Sequence, residues 1–197
     1  MNGAGKSSLG GAAFRAAGGD YYNPDEAARR IRDLKPGLSQ HDANALAWQQ
    51  GVRLLERSIE HRLTYAFETT LGASTIPRML ARAAAAGAQV RVWYVGLDTV
   101  ERHIARVRAR VLRGGHDIPE ADIRRRFETS RVNLVELLPL LAALRVYDNS
   151  AETDPAKGKP PTPRLVLHVE RGRVVGPGDI AGTPQWAKAI VARAVRK

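Results

Sequence analysis

Asn2-Gly3-Ala4-Gly5-Lys6-Ser7-Ser8 stands at the head of the chain, and its reading decides the fold. The stretch matches the second half of the phosphate-loop pattern G-x-x-x-x-G-K-[ST], in which backbone N–H groups of a glycine-rich turn and of the following helix cradle phosphate oxygens. In that pattern the lysine reaches the β- and γ-phosphates and the next hydroxyl binds Mg²⁺, roles that fall to Lys6 and Ser7. The first glycine of the pattern would stand one position ahead of Met1, and the strand that feeds such a loop is also missing from the sequence. Alone, the stretch reads equally well as a Gly/Ser-rich tail, so its meaning depends on the rest of the chain.

Composition narrows the field. A chain of 197 residues points to one domain with small additions. With 44% hydrophobic and 26% charged residues it is a globular chain. The absence of cysteine excludes disulfides, thiolate metal sites and cysteine nucleophiles. No apolar run is long enough to span a membrane, and the first residues are not those of a signal peptide, so the expected location is cytoplasmic. The net charge of +11 asks for an anionic partner, whether nucleic acid, an anionic membrane or a phosphorylated small molecule.

Working outward from the loop, a helix is expected from Lys6 to Ala17 with Leu9, Ala13 and Phe14 on one side, stopped by Gly18-Gly19. A short strand, Tyr21-Tyr22, runs into Asn23-Pro24-Asp25-Glu26, where proline and the acids signal a helix start. Asp25 therefore sits where strand hands over to helix, either complementing the helix dipole or serving a site. A long helix follows from Gln40 to Arg62, capped by Ser39, with Ala43, Leu46, Ala47, Leu54 and Ile59 as its apolar stripe. Trp48 on that helix reads as core rather than pocket wall. Thr64 to Thr70 reads as a buried strand ending in Glu68, Thr69 and Thr70, and a helix from Ser74 to Ala86 stops at Gly87. Val90 to Leu97 is the strongest strand in the chain, β-branched and aromatic throughout.

The helix from Asp98 to Arg113 carries Arg102, Arg106, Arg110 and Arg113 on one stripe, opposite Ile104, Val107 and Val111. With no acid interleaved after Glu101, these arginines should repel one another and favour an anionic partner. After Gly114-Gly115 a second helix carries Arg124, Arg125 and Arg126. Consecutive residues lie about 100° apart on a helix, so the three cannot share one direction. Leu144 to Ser150 is a last strand with a polar end, Ser150 to Pro163 a Pro- and Lys-rich linker, Arg164 to Val175 a hairpin around Glu170-Arg171-Gly172, and Thr183 to Lys197 an amphipathic helix bearing Trp186, Ile190 and Ala194.

Strands alternating with helices imply an α/β fold with a parallel sheet and helices on both faces. Ligands in such sheets bind beyond the C-terminal strand ends. Three strands here end in polar groups, Asn23/Asp25, Glu68/Thr69/Thr70 and Asp148/Asn149, which raises Asp25 and Glu68 above merely structural roles.

Taken together, Asn2 to Ser8, Asn23-Pro24-Asp25-Glu26, Phe67 to Gly72, the run Arg106 to Pro119, Ile123 to Phe127 and Val146 to Ser150 resemble the zeta-toxin-like branch of P-loop kinases. The resemblance covers residues 1–150. It implies a P-loop kinase-type domain there, a 151–163 linker, and a 164–197 hairpin and helix packing on the same domain, with the arginine-rich helices as a lid. It further implies ATP and Mg²⁺ as cofactors. Asn2, Gly3, Ala4, Gly5, Lys6, Ser7 and Ser8 would hold the phosphates, with the metal at Ser7 and the adenine near Asn149. Asp25 would be the base, Glu68, Thr69 and Thr70 would hold the acceptor, and Arg106, Arg110 and Arg125 would neutralise the transferred phosphoryl group. The acceptor would be a small hydroxyl-bearing molecule, a UDP-activated amino sugar in zeta toxins proper, and a toxin–antitoxin setting would add an antitoxin protein as partner.

Two other readings stay open. The charge could serve nucleic-acid binding, although no aromatic-interleaved basic ribbon accompanies it. Without the strand that feeds the loop, the chain could instead be an inactive, truncated ATPase; the preferred explanation is a natural start upstream of Met1.

Overall fold

A computed structural model describes residues 1–16, 21–151 and 162–196. The chain divides into two compact units, Met1–Lys6 with Thr70–Lys197, and Ser7–Thr69. The larger unit, which includes Met1–Lys6, is built on a four-stranded sheet in the order β1-β2-β3-β4. The strands are β1 (Arg91–Gly96), β2 (Ala143–Asp148), β3 (Arg164–Glu170) and β4 (Arg173–Gly176). β1 and β2 pair in parallel from Arg91↔Ala143 to Gly96↔Asp148. Helices α5 (Val100–Val111) and α6 (Glu120–Leu137) form the crossover between them, as parallel pairing requires.

The C-terminal hairpin does more than pack on the domain: β3 joins the sheet antiparallel to β2, and β4 antiparallel to β3. Its turn is Arg171-Gly172, with φ of 48° and 73°, the two positive angles that match a tight hairpin to strand twist. Parallel pairing in the sheet is thus confined to β1 and β2, and the α/β sheet flanked by helices is mixed.

The core of this unit follows from strand alternation. Leu144, Val146 and Leu167 are fully buried, with Leu134 of α6 and Ile190 of α7 (Lys188–Val195). On β1, Tyr94 donates to or accepts from Ser130 Oγ of α6 at 2.7 Å. Gly96 is needed beside it because an added Cβ would lie 2.5 Å from the buried Trp186 ring. A second cluster, Ile104, Val107, Ile118 and Ile123, joins α5 to α6. α4 (Thr75–Ala85) buries Met79, Leu80 and Ala83 and ends at Gly87, φ 88°.

The smaller unit begins with a π-helical turn, Ser7–Gly11, and α1 (Ala12–Ala16). Phe14 on α1 is exposed rather than packed, and the expected Gly18-Gly19 stop lies outside the described residues, as does the linker over 152–161. α2 (Pro24–Leu34) and α3 (Gln40–Glu60) pack through Ala28, Ala43 and Ala47. Small residues let these two helices approach closely. Of the expected stripe on α3, Ala43 and Ala47 are buried, whereas Leu46 and Leu54 are exposed and Leu55 and Ser58 are buried instead. Trp48 is 49% exposed, not core, because it lies off the Ala43–Ala47 face.

The two strands expected at Tyr21-Tyr22 and Thr64–Thr70 reduce to a single parallel bridge, Tyr22↔Phe67. Tyr22 N–H donates to Ala66 O and Glu68 N–H to Tyr22 O, each at 2.9 Å. The ladder stops there because Asn23 caps α2 and turns the chain away. Among the described residues no helix is long and apolar enough to cross a membrane.

Candidate functional site

In the larger unit the loop stretch is a built turn. Gly3 and Gly5 have φ of 66° and 88°, a region L-residues avoid. Neither has room for a side chain. A Cβ on Gly3 would lie 3.0 Å from His103 O and 3.4 Å from Arg106 Cβ, both on α5, and one on Gly5 would lie 2.7 Å from Asn149 Nδ2. Ala4 between them is fully buried.

The loop's carbonyls are held by side chains from distant sequence. Asn149, just past β2 and 4% exposed, donates through Nδ2 to Ala4 O at 2.9 Å. Asn149 O in turn accepts from Arg106 Nη2 at 2.8 Å, and its N–H donates to Gly96 O at 3.0 Å. His103 Nδ1 lies 2.5 Å from Asn2 O. Lys6 Nζ donates to Met1 O at 2.7 Å, folding back over its own turn. The loop therefore lies at the C-terminal end of parallel strand β2, where α/β sheets bind ligands.

The arginines expected to form a lid are tied down more than their stripe suggested. Arg102 pairs with Asp98 at 2.8 Å, Arg108 with Glu120 at 3.0 Å, and Arg124 with Glu101 and Glu120 at 3.0 and 2.7 Å. On the α5 stripe itself it is Arg102 that pairs with an acid, from the preceding turn, whereas Glu120 of α6 serves Arg108 and Arg124, which lie off that stripe. Arg110 Nη2 donates to His116 O at 3.1 Å, bracing the α5–α6 turn. Arg125 is exposed and paired with Asp122 at 2.7 Å. Its neighbour Arg126 is the one that reaches the loop, donating through Nη1 to Asn2 Oδ1 at 3.2 Å.

The smaller unit gathers a second set of expected site residues. Its single bridge sets Asn23 and Glu68 side by side at the ends of their segments. Ser7 Oγ donates to Glu68 Oε2 at 2.7 Å, and Asn23 Nδ2 approaches Ser7 Oγ at 3.5 Å. Tyr21, which sequence reasoning did not single out, donates its hydroxyl to the same Glu68 oxygen. Burial, and then the bond to the Glu68 carboxylate, pushes the Tyr21 phenol up. Asp25 is exposed in the first turn of α2, and its N–H donates to Asn23 Oδ1 at 2.9 Å. Thr69 and Thr70 are half-buried, and the side chain of Ser8 lies outside the described residues. A cavity of about 710 Å³ opens in this unit, lined by Arg15, Tyr21, Tyr22, Glu26 and Arg30 beside the apolar Ile31 and Leu54.

His103 and Arg126 were also missed from sequence. His103 carried a readable signal: it stands one turn before Val107 on the apolar row of α5, where a buried imidazole needs a partner. Arg126 did not, because the choice among three consecutive arginines depends on the rotation of α6.

No protein-family model matches the sequence. The fold is that of the AvrRxo1-ORF1:-ORF2 crystal structures, at 15% identity and over 98% of this chain. The structure with ATP gives a TM-score of 0.68 over 60% of that chain. The structure with sulphate ions gives 0.64 over 61%, and the native complex 0.63 over 67%. The chain thus spans 60% and 61% of the length of the first two. In sequence it is 30% identical over 130 residues, 64% of its own length, to an uncharacterized protein of Haemophilus influenzae. As the alignment takes in 86% of that protein, the chain belongs to the same family as the Haemophilus influenzae protein.

Proposed function

We propose that this chain is an ATP-dependent P-loop phosphotransferase of the zeta-toxin-like kind, acting in the cytoplasm on a small hydroxyl-bearing acceptor such as a UDP-activated amino sugar. The observation that carries the reading is the conformation of Gly3-Ala4-Gly5: two positive φ angles with no space for side chains, the form of a backbone anion cradle. The likeness of the fold to a complex crystallised with ATP supports it.

The residues fit the donor. Lys6, folded onto the Met1 carbonyl, supplies the cation that would swing to the β- and γ-phosphates. Ser7 and Glu68, joined at 2.7 Å, are hard oxygen donors of the kind Mg²⁺ takes with phosphate and water. Bound there, the metal would neutralise charge on the transferring group.

On the acceptor side, Asp25 at the α2 N-terminus would accept the hydroxyl proton. Thr69 and Thr70 would orient the acceptor with Glu68. The cavity beside α2, with Arg30 and the Arg15–Glu26 ion pair at its wall and apolar Ile31 and Leu54, suits a molecule with a polar end and a less polar body. Arg106 and Arg110, braced on Asn149 O and His116 O, and Arg125 would neutralise the phosphoryl oxygens. Asn149 would border the adenine. An antitoxin-like protein is proposed as partner, by analogy with neighbours crystallised as two-protein complexes.

The test is ADP formation from ATP and Mg²⁺ with UDP-N-acetyl amino sugars, read together with mass spectrometry for an acceptor heavier by one phosphoryl group. Lys6→Ala should reduce turnover by about a thousandfold, the scale of losing one charge-stabilising group. It should also weaken ATP binding while leaving the melting temperature unchanged. Equal ADP formation by the folded Lys6→Ala chain would sink the reading.

A further inference from the structure

We infer that His103 is a positioning residue for the phosphate loop: with its proton on Nδ1 it clamps the Asn2 carbonyl, and with Asn149 on the Ala4 carbonyl it turns the Gly3 and Gly5 amides outward. This inference rests on the reading of Asn2–Ser8 as a phosphate site.

A carbonyl oxygen can only accept, so the 2.5 Å contact between His103 Nδ1 and Asn2 O puts the proton on Nδ1 and leaves Nε2 bare. The ring is 1% exposed and meets Phe127 edge-on, with centroids 5.6 Å apart. Nε2 is buried and has no hydrogen-bond partner among the described residues. An orphaned buried acceptor costs stability, so packing alone would be served better by leucine. What the imidazole provides that leucine lacks is the Nδ1–H bond to the loop.

Peptide geometry sets the consequence. In a planar trans peptide the carbonyl of one residue and the N–H of the next point in opposite directions. With Asn2 C=O drawn to His103 and Ala4 C=O drawn to Asn149, the Gly3 and Gly5 N–H groups face away from those two side chains. Positive φ at both glycines curves these amides into a concave nest for an anion. The fit is tight on the clamp side: the Gly3 backbone lies on α5 at His103 O and Val107, so the loop cannot slide along the helix to replace a lost bond. Arg126, bonded to Asn2 Oδ1 at 3.2 Å, fixes the Asn2 side chain but not its carbonyl.

The experiment compares Mg²⁺-ATP binding by calorimetry in the wild-type chain and in His103→Leu, His103→Gln and His103→Asn. Asparagine can set an amide N–H where Nδ1 stood; glutamine sets its own at the level of Nε2. We expect His103→Leu and His103→Gln to bind ATP roughly tenfold more weakly, the worth of one hydrogen bond, and His103→Asn to stay close to wild type, with all three melting cooperatively. Wild-type affinity in folded His103→Leu, or equal losses in the asparagine and glutamine variants, would overturn the clamp. Lys6→Ala serves as the control for the phosphate-site reading, which falls if the wild-type chain itself binds no ATP. In that event ¹⁵N NMR of the His103 ring decides the clamp separately: a protonated Nδ1 with a bare Nε2 retains it, and a protonated Nε2 overturns it.

Discussion

The two units anchor their candidate site residues by opposite means. In the larger one, the loop Met1–Lys6 is held by Asn149 and His103, buried side chains more than a hundred positions along the chain. In the smaller one, Asp25 stands exposed on a helix start fixed by its near neighbour Asn23, and Glu68 is set beside Asn23 by one bridge. A backbone cradle works only if its carbonyls cannot swing, so its rigidity has to come from tertiary contacts. For the base role proposed for Asp25, a carboxylate needs freedom to meet its substrate, and a local cap suffices to aim it.

The largest expected effect that tests this contrast separates the two halves by readout. Asp25→Ala should lower phosphoryl transfer by about a hundredfold to ten-thousandfold, the range for a lost general base. ATP affinity should be unchanged, because the role proposed for Asp25 is on the acceptor side. Its cost in stability should stay under about 1 kcal/mol, the worth of an exposed acid at a helix start. Full activity in the folded variant would remove the base assignment, and a parallel loss of ATP affinity would dissolve the contrast.

Legibility in the sequence divides along the same line. The local devices were readable: Pro24 and the acids announced α2, Gly87 ended α4, Arg171-Gly172 marked the hairpin turn, and the phosphate-loop letters picked out the two glycines with positive φ. What depends on distant contacts was not. That β3 would extend the sheet beside β2 requires knowing which strand is left with an edge to pair. That Leu55 rather than Leu54 is buried on α3 depends on what packs around that part of the helix, which apolar spacing does not show. On the α5 stripe, Arg106 and Arg110 turn to the backbone carbonyls of Asn149 and His116, partners that only the folded chain brings near. Asn149 was expected near the adenine; that its side-chain amide holds Ala4 O could be seen only once the chain had folded.

The next effect is smaller and concerns the clamp itself. Burial pushes the His103 imidazole down to about 4, although its bond to the Asn2 carbonyl works the other way; the nearby Lys6 and Arg106 charges add to the depression. A histidine held neutral in the folded chain binds its proton first in the unfolded chain, so its contribution to stability is complete above pH 6.5. It is lost as pH falls from 6.5 toward 4, by up to about 3 kcal/mol. Thermal melts should show that decline in the wild type and a flatter profile in His103→Leu over the same window. The exposed acids Asp42, Glu101 and Glu170, whose carboxyls are held below their ordinary values, act in the same direction at lower pH and are common to both chains. Identical slopes in the two proteins between pH 4 and 6.5 would mean that His103 is not kept neutral, and the loop would lose its distinguishing anchor.

The smallest effect probes the local side. Asn23 is 7% exposed and accepts from the Asp25 and Glu26 N–H groups at 2.9 and 3.4 Å, while its Nδ2 lies 3.5 Å from Ser7 Oγ. Asn23→Ala should cost about 1 kcal/mol, the usual loss for a missing N-cap, read as a lower denaturation midpoint. Asn23→Asp keeps the cap acceptor and gives up only the amide donor toward Ser7, so its midpoint should stay near wild type. If the acids of this unit depend on the cap for their aim, phosphoryl transfer by Asn23→Ala should fall further than its modest destabilisation explains, with ATP affinity intact. Should ATP affinity fall in Asn23→Ala as far as in His103→Leu, the phosphate cradle would depend on the local cap as much as on its buried clamp, and the opposition between the two anchoring modes would have to be given up.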